Sequence, residues 1–308
     1  MSVARNPKNY SEELESILQL CRAPHMGTAR LLQILDQDHT WAHFQGQKNS
    51  FNQEYKNTHA WRSYREGGAA FRLAVSNNRY VAIPSHLNNE MIVPAVMELI
   101  DDSTEAVVEL GCGWGRHLFG LRNLVEHDFP ALRYFGCELS DTGLEAGRSI
   151  AALELGRASV KFESFDYLAP SFEFLHGLQN VVFFTCHSVE QIKYIGEELF
   201  HAMAVAAPKV RVIHCEPVGW QLNDELVRKA ETDNKIEMPA TFAIRLGGEV
   251  DDSFSARMPV ALGWNRNLVA CLMSLQNQGA IKIEFIDPNC AGNDIYNPST
   301  IIQWTKGP

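Results

Sequence analysis

The stretch Val107–Gly115 has the residue types that bring a protein backbone against a ligand. Its apolar residues enclose Glu109 and predict a strand, and three glycines follow at every second position, Gly111, Gly113 and Gly115. Glycine adopts backbone angles closed to other residues and lets the main chain approach a ligand closely. The apolar spacing of Arg116–Val125 then predicts a helix, whose first N–H groups favour a carboxylate. The alternative is a tight turn without a ligand.

Two acidic residues follow the next two predicted strands. Glu138 ends the strand Leu132–Glu138, 23 positions beyond Gly115. Nucleotide-binding folds place a carboxylate on ribose hydroxyls at a similar spacing, about 20 residues on. Asp166 comes shortly after the strand Ser159–Glu163. The occurrence of Glu138 after the glycine turn therefore favours a nucleoside-bearing ligand.

A second group of polar residues stands where strands four and five are predicted to end. His187 and Glu190 follow Asn180–Thr185, and Glu216 ends the strand Val210–Pro217. Open α/β sheets bind ligands at this carboxyl edge. A histidine with a near-neutral pKa is a natural general base for a hydroxyl, and Glu190 or Glu216 would orient its ring or hold the acceptor. A capping role before the next helix is the alternative for His187.

The same two strand ends carry further metal-ligating residue types, Cys186, His214 and Cys215. Adjacent residues in a strand point to opposite faces, so this set does not converge on one ion. We therefore predict no metal, with a zinc site as the alternative.

Strands and helices alternate from residue 105 onward, which predicts a parallel sheet with helices on both faces. Residues 1–100 are predicted to form a mainly helical N-terminal cap, and 101–308 the ligand-binding domain. The alternation breaks over 218–263, which we interpret as an insert or lid over the acceptor. The alternatives for this insert are a surface excursion or a contact in a homodimer.

The strand-Glu-x-Gly-x-Gly-x-Gly-helix order resembles motif I of the class I S-adenosylmethionine-dependent methyltransferases. The dinucleotide fingerprint differs, since two residues separate its second and third glycines. The resemblance implies a Rossmann-like doubly wound seven-stranded sheet with strand seven, Ser299–Thr305, antiparallel. It implies S-adenosyl-L-methionine as the cofactor, with Asp166 on the adenine amino group and Phe165 against the adenine face. The cofactor-binding residues are then Glu109, Gly111, Gly113, Gly115, Glu138, Phe165 and Asp166.

Three further stretches resemble bacterial sugar O-methyltransferases: Thr185–Ile192, His214–Pro217, and Trp264–Leu268 with the segments Gly279–Ile283 and Ile301–Trp304. This resemblance implies methyl transfer to a hydroxyl of a small polar acceptor, a sugar or secondary metabolite, with His187, Glu190 and Glu216 as the catalytic candidates. One alternative is an N-methyltransferase for an amine, guanidine or amino-acid-like acceptor. Another is a cofactor-binding subunit without catalysis.

The composition of the chain limits the kinds of partner and the cellular location that we expect. The formal charge of −10 disfavours nucleic acid as a ligand. The chain has no apolar run long enough for a membrane span, and its first ten residues lack the apolar core of a signal peptide. Seven scattered cysteines without a Cys-x-x-Cys pair predict reduced thiols and a cytoplasmic location.

Overall fold

The computed structural model describes residues 71–84, 91–153, 160–232, 244–292 and 297–307, together with positions 15, 17–22, 31, 236 and 295. Most of the predicted helical cap before residue 71 therefore lies outside these residues. None of the helices in the described ranges is long and apolar enough to cross a membrane.

Nine strands form one mixed sheet in the order β2-β1-β8-β9-β7-β6-β3-β4-β5. They are β1 Phe71–Ser76, β2 Arg79–Pro84, β3 Ala106–Leu110, β4 Arg133–Glu138, β5 Val160–Ser164, β6 Asn180–Cys186, β7 Lys209–Glu216, β8 Ile281–Gly292 and β9 Ser299–Lys306. The five strands from β3 to β7 are parallel, whereas β9 runs antiparallel to both β7 and β8. The central strand β3 is buried at every position, as a strand covered on both faces must be.

Helices cover both faces of the sheet. They are α1 Ile92–Met97, α2 Arg116–Val125, α3 Asp141–Ala151, α4 Glu197–Val205, α5 Asp224–Thr232, α6 Asp252–Leu262 and α7 Leu268–Asn277. Apolar side chains of α1, α2 and α3 share one core with Val107, and those of α4 and α7 share the other with Val108. Because neighbours in a strand point to opposite faces, β3 contributes to both cores.

The hairpin β1–β2 corrects two predictions. The sheet has nine strands rather than seven, and residues 71–84 are extended rather than helical. The two strands are joined by Asn77 and Asn78, whose φ angles of 49° and 56° are those of a tight hairpin turn. β1 pairs with β8, so the hairpin extends the edge beyond the predicted six-seven strand pair.

The segment predicted as an insert contributes α5 and α6, which pack around Trp220. Trp220 is fully buried, and a small separate core surrounds it: Leu226, Ala230, Ile236, Ala256 and Val260. α6 also contacts the hairpin, since Phe254 lies in one cluster with Val75 and Tyr80. The insert is thus a packed layer beside the carboxyl edge. The predicted division at residue 100 and the role of the insert as a lid stay predictions.

Candidate functional site

The three glycines after β3 all have left-handed backbone, with φ of 66° at Gly111, 56° at Gly113 and 85° at Gly115. Gly111 is also tightly packed. A Cβ atom there would lie 2.5 Å from the Cβ of Ser188, which follows β6. The glycine turn therefore depends on glycine for its conformation and for its contact with the loop after β6.

Glu138 lies against this turn. Its carboxylate accepts the N–H of Gly113 through Oε2 and the N–H of Ser140 through Oε1, both at 2.8 Å. Ser140 in turn caps α3, since its Oγ accepts the N–H of Gly143. The structure thus brings together Glu138 and the glycine turn at the carboxyl ends of β3 and β4, side by side in the sheet.

Glu109 points into the molecule instead. Its side chain is 2% exposed, and its Oε1 lies 2.8 Å from Nδ1 of His117 in the first turn of α2. Its Oε2 is buried without a hydrogen-bond partner among the described residues. His117 is a contact that our sequence interpretation missed, although its position eight residues on, at a helix start, was available as a signal.

Phe165 and Asp166 follow β5 and differ in exposure. Phe165 is 4% exposed, and its ring contacts Phe172 and Tyr167 with centroids 5.4 and 5.3 Å apart. Phe165 therefore packs in the core, and its contact with adenine stays a prediction. Asp166 is half-buried and accepts the N–H of Leu168 at 2.8 Å.

Ser188 and Tyr167 connect three strand ends, and neither was predicted as a site residue. The Oγ of Ser188 donates to the carbonyl of Leu110 at 3.0 Å and lies 2.8 Å from the hydroxyl of Tyr167. Burial raises the pKa of Tyr167 well above its ordinary value, so its hydroxyl keeps its proton and donates to Ser188. This chain of contacts ties the glycine turn to the loop after β6.

His187 begins that loop with a φ of 49° and holds polar partners on both ring nitrogens. Its Nε2 lies 2.8 Å from the Oγ of Ser299, and its Nδ1 lies 3.5 Å from both Glu190 and the amide of Asn297. Asn297 also donates to Glu190 at 3.2 Å. The predicted pair His187 and Glu190 is therefore brought together, joined by two residues that were not predicted.

The charge on His187 differs from the prediction. Burial lowers the pKa of the His187 ring, but the Glu190 carboxylate outweighs it and, with Cys215 and Glu216, raises the pKa to about 9. At neutral pH the ring is thus a cation rather than a free base. The predicted near-neutral pKa is wrong because Glu190, three residues on, turns back to the ring.

Glu216 is fully buried and holds the backbone of the same loop. Its carboxylate accepts the N–H groups of Ser188 and Val189 at 3.2 Å and of Glu190 at 3.1 Å. Burial, with the nearby Glu190 carboxylate, raises the pKa of Glu216 to about 7, although three N–H donors favour the ionised form. Glu216 is therefore a positioning residue for the loop that carries His187 and Glu190.

His214 is a core residue. It is fully buried, accepts the indole N–H of Trp304 at 3.0 Å through Nε2, and contacts the hydroxyl of Thr185 at 2.9 Å through Nδ1. Burial lowers its pKa to about 3, so the ring is neutral. Across the described part of the chain, no group of three or more His, Cys, Asp or Glu side chains is arranged to hold a metal ion.

The His187–Glu190 pair makes stability depend on pH. Because the pKa of His187 rises from 6.5 to about 9 on folding, the pair contributes fully below pH 6.5 and its contribution is lost as the pH rises through 9. The full shift corresponds to at most roughly 3 kcal/mol. We expect thermal unfolding at pH 6 and pH 9.5 to show this loss in the wild type and a smaller loss in Glu190→Gln. The exposed-site control Glu98→Gln should behave as wild type, and equal losses in all three would contradict the pairing.

Comparison with known proteins gives only distant structural likenesses. No family model matches the sequence, and no curated protein matches it. Similar solved structures include a SAM dependent methyltransferase from Aquifex aeolicus, with 10% identity over 70% of this chain and 89% of the other at a TM-score of 0.40. The CcbJ methyltransferase from Streptomyces caelestis shows 16% identity over 71% and 90% at a TM-score of 0.41. Geranyl diphosphate methyltransferase, in complex with GPP and sinefungin, shows 11% identity over 70% and 76% at 0.44.

Proposed function

We propose that this chain is an S-adenosylmethionine-dependent methyltransferase that methylates a hydroxyl of a small polar acceptor. The observation that carries this proposal is the contact between Glu138 and the glycine turn. The Glu138 carboxylate accepts the N–H of Gly113, the middle one of three left-handed glycines, at the carboxyl ends of two adjacent parallel strands. Open α/β sheets bind nucleotide ligands at this place.

The residues present fit the cofactor. The turn is half-buried at Gly111 and Gly113, where main chain could approach a ligand, and Glu138 supplies an acceptor for ribose hydroxyls. Asp166, at the next strand end, supplies an acceptor for the adenine amino group. Glu109 supports the turn from inside through His117. When bound, S-adenosylmethionine supplies a methyl group already activated on a sulfonium, so the protein must align the acceptor and manage its proton.

His187 is the residue we propose for the acceptor's proton. It takes a proton only in its neutral form, and its pKa of about 9 makes that form a minority at neutral pH. Its Nε2 faces Ser299, so we propose that the acceptor hydroxyl takes the place of the Ser299 Oγ at this nitrogen. Glu190 orients the ring, and Glu216 fixes the loop.

Methyl transfer to an amine is the second candidate. The observation that favours it is the Glu190 carboxylate beside His187, which raises the pKa of that ring to about 9 and leaves only a small neutral fraction at neutral pH. Such an acceptor has its own lone pair once deprotonated, and the Glu190 carboxylate would position it. An assay distinguishes these two enzymes from a third possibility, a cofactor-binding subunit without catalysis. That subunit would bind S-adenosylmethionine and yield no S-adenosylhomocysteine with any hydroxyl or amine acceptor tested.

The cofactor assignment predicts the behaviour of Glu138→Gln. The amide keeps the size of the side chain but loses the charge that accepts hydrogen bonds from N–H and hydroxyl groups, which contribute about 1.5–3 kcal/mol each. We therefore expect calorimetry to show S-adenosylhomocysteine binding weakened at least about 10-fold. Glu145→Gln, an exposed site on α3, is the matched control and should bind as wild type. Equal affinity in the wild type and Glu138→Gln would reject the site.

A further inference from the structure

Two cysteines face each other at the carboxyl ends of β6 and β7. Cys186 is the last residue of β6, and Cys215 is its register partner on the parallel strand β7. Both side chains pack in the same apolar core, so they lie on one face of the sheet. Cys215 is 2% exposed, whereas Cys186 is half-buried. The pair therefore has one thiol within reach of solvent and a second thiol beneath it.

The spacing of the two strands suits a disulfide bond between Cys186 and Cys215. Neighbouring strands lie about 4.8 Å apart, and the Cα atoms of a disulfide usually lie about 4.4–6.8 Å apart. The Cβ atoms must approach to about 3.5–4.5 Å, slightly closer than the strand spacing, so the two strand ends must move together a little. A bond formed under strain is more easily reduced, so this pair can be closed and reopened.

The side chains of the two cysteines also contact each other. A hydrogen bond from the Cys186 side chain lowers the pKa of the Cys215 thiol, against the opposing effect of burial. The positive charge on the His187 ring lowers this pKa further. The thiolate is the form of cysteine that attacks an oxidised sulfur atom. Cys215 is therefore suited to react with an oxidised form of Cys186.

Cys290 packs in the same core but is not placed to compete for Cys215. It lies on β8, which β9 separates from β7. Two strand spacings put its Cα atom about 9–10 Å from that of Cys215, beyond the roughly 7 Å that a disulfide can span. Burial also raises the pKa of the Cys290 thiol to about 12, so this thiol keeps its proton. Cys186 is therefore the partner that fits Cys215.

We propose that Cys186 and Cys215 form a site of reversible oxidation, at which hydrogen peroxide converts the two thiols into a disulfide. The Cys186 sulfur attacks the peroxide, the O–O bond breaks and one water leaves, so that Cys186 carries a sulfenic acid. The Cys215 thiolate then attacks the Cys186 sulfur and the S–O bond breaks. Hydroxide leaves and takes up the proton that the Cys215 thiol gave up. The thiols lose two electrons and two protons, and the peroxide becomes two waters.

The disulfide would tie together the strand ends that carry the candidate site. His187 follows Cys186 directly, and its N–H donates to the Cys215 carbonyl at 3.1 Å. Glu216 follows Cys215 and accepts the backbone N–H groups of the loop after β6. The proposal does not rest on the proposed function, since oxidation of the thiols needs neither S-adenosylmethionine nor a methyl acceptor.

The test treats the full, reduced chain with an equimolar amount of hydrogen peroxide, blocks the remaining thiols by alkylation, and identifies linked peptides by mass spectrometry after digestion. We expect a pair of peptides joined through Cys186 and Cys215 that dithiothreitol separates. Cys21→Ser removes another half-buried thiol and is the control, which should give the same linked pair. A wild-type chain without this linked pair, or with other cysteine pairs equally abundant, would overturn the proposal. This measurement depends on the folding of no variant at either cysteine.

Cys215→Ala separates the two steps of the oxidation. Without the second thiol, the sulfenic acid on Cys186 persists and can be labelled by dimedone, a reagent for sulfenic acids. We expect Cys186 to be labelled at least about 10-fold more in Cys215→Ala than in the wild type, where the neighbouring thiol reacts intramolecularly. Thermal unfolding checks that the variant is folded. Equal labelling of Cys186 in the wild type and in folded Cys215→Ala would overturn the proposal.

Discussion

Replacing Gly111 by Ala is expected to destabilise the protein by about 2–5 kcal/mol and to abolish measurable cofactor binding. The residue has a φ of 66°, and its new Cβ would lie 2.5 Å from the Cβ of Ser188, 2.9 Å from the Ser188 Oγ and 3.0 Å from the Tyr167 hydroxyl. The loop after β6 must then move, since Ser188 is held by Leu110 and by Glu216. Denaturant unfolding and calorimetry with S-adenosylhomocysteine measure the two effects.

Gly279→Ala is the matched control for this prediction. Gly279 has a φ of 75°, close to that of Gly111, but a Cβ there would meet no atom within 4 Å. Its substitution costs the backbone strain alone, about 1–2 kcal/mol, and should leave cofactor binding intact. Equal effects of the two substitutions would show that the contact with Ser188 is unimportant.

Replacing His187 by Asn is expected to lower methyl transfer to a hydroxyl acceptor by about 10²–10⁴-fold, the range for a lost general base. Asn is chosen because it tolerates the left-handed backbone that His187 adopts, so the loop keeps its conformation. Binding of S-adenosylhomocysteine should change little, because the ring has no contact with the glycine turn. Initial rates at pH 9 and calorimetry on the same preparation separate the two quantities.

The dependence of the methylation rate on pH tests the role of His187 in a second way. In the wild type, hydroxyl methylation should rise with pH and level off above about 9, following the pKa of His187. In Glu190→Gln the rise should move to lower pH, since the carboxylate that raises this pKa is gone. A rate in His187→Asn equal to that of the wild type would exclude the ring as the base. It would then favour an acceptor that needs none, such as an amine.

The glycine turn and Glu138, on the proposed cofactor side of the site, were predictable because their signals are local. Three glycines in five residues predict a turn, and the apolar pattern around them predicts a strand and a helix whose bounds, Arg116–Val125, agree with the structure. Glu138 was predicted from its position at a strand end. The parallel strands of a doubly wound sheet then place it beside the turn without further information.

The acceptor side was less predictable because its contacts join distant residues. The pKa of His187 depends on how Glu190 folds back, and its Nε2 meets Ser299, 112 residues along the chain. Glu216 was predicted as a catalytic candidate, yet its carboxylate accepts three backbone N–H groups that only a defined turn presents. The β1–β2 hairpin had a local signal in Asn77–Asn78 between alternating residues, but it fell within the predicted helical cap, residues 1–100.

The contact between Gly111 and Ser188 also sets which positions can diverge during evolution or in engineering. Ser188 is shared by the glycine turn and by the loop of His187, so a change there alters both halves of the candidate site together. Asn297 lies beside His187 and Glu190 and contacts neither the glycine turn nor Glu138 in the contacts described above. Libraries that aim to change the proposed acceptor preference should therefore vary Asn297 and hold Ser188 constant.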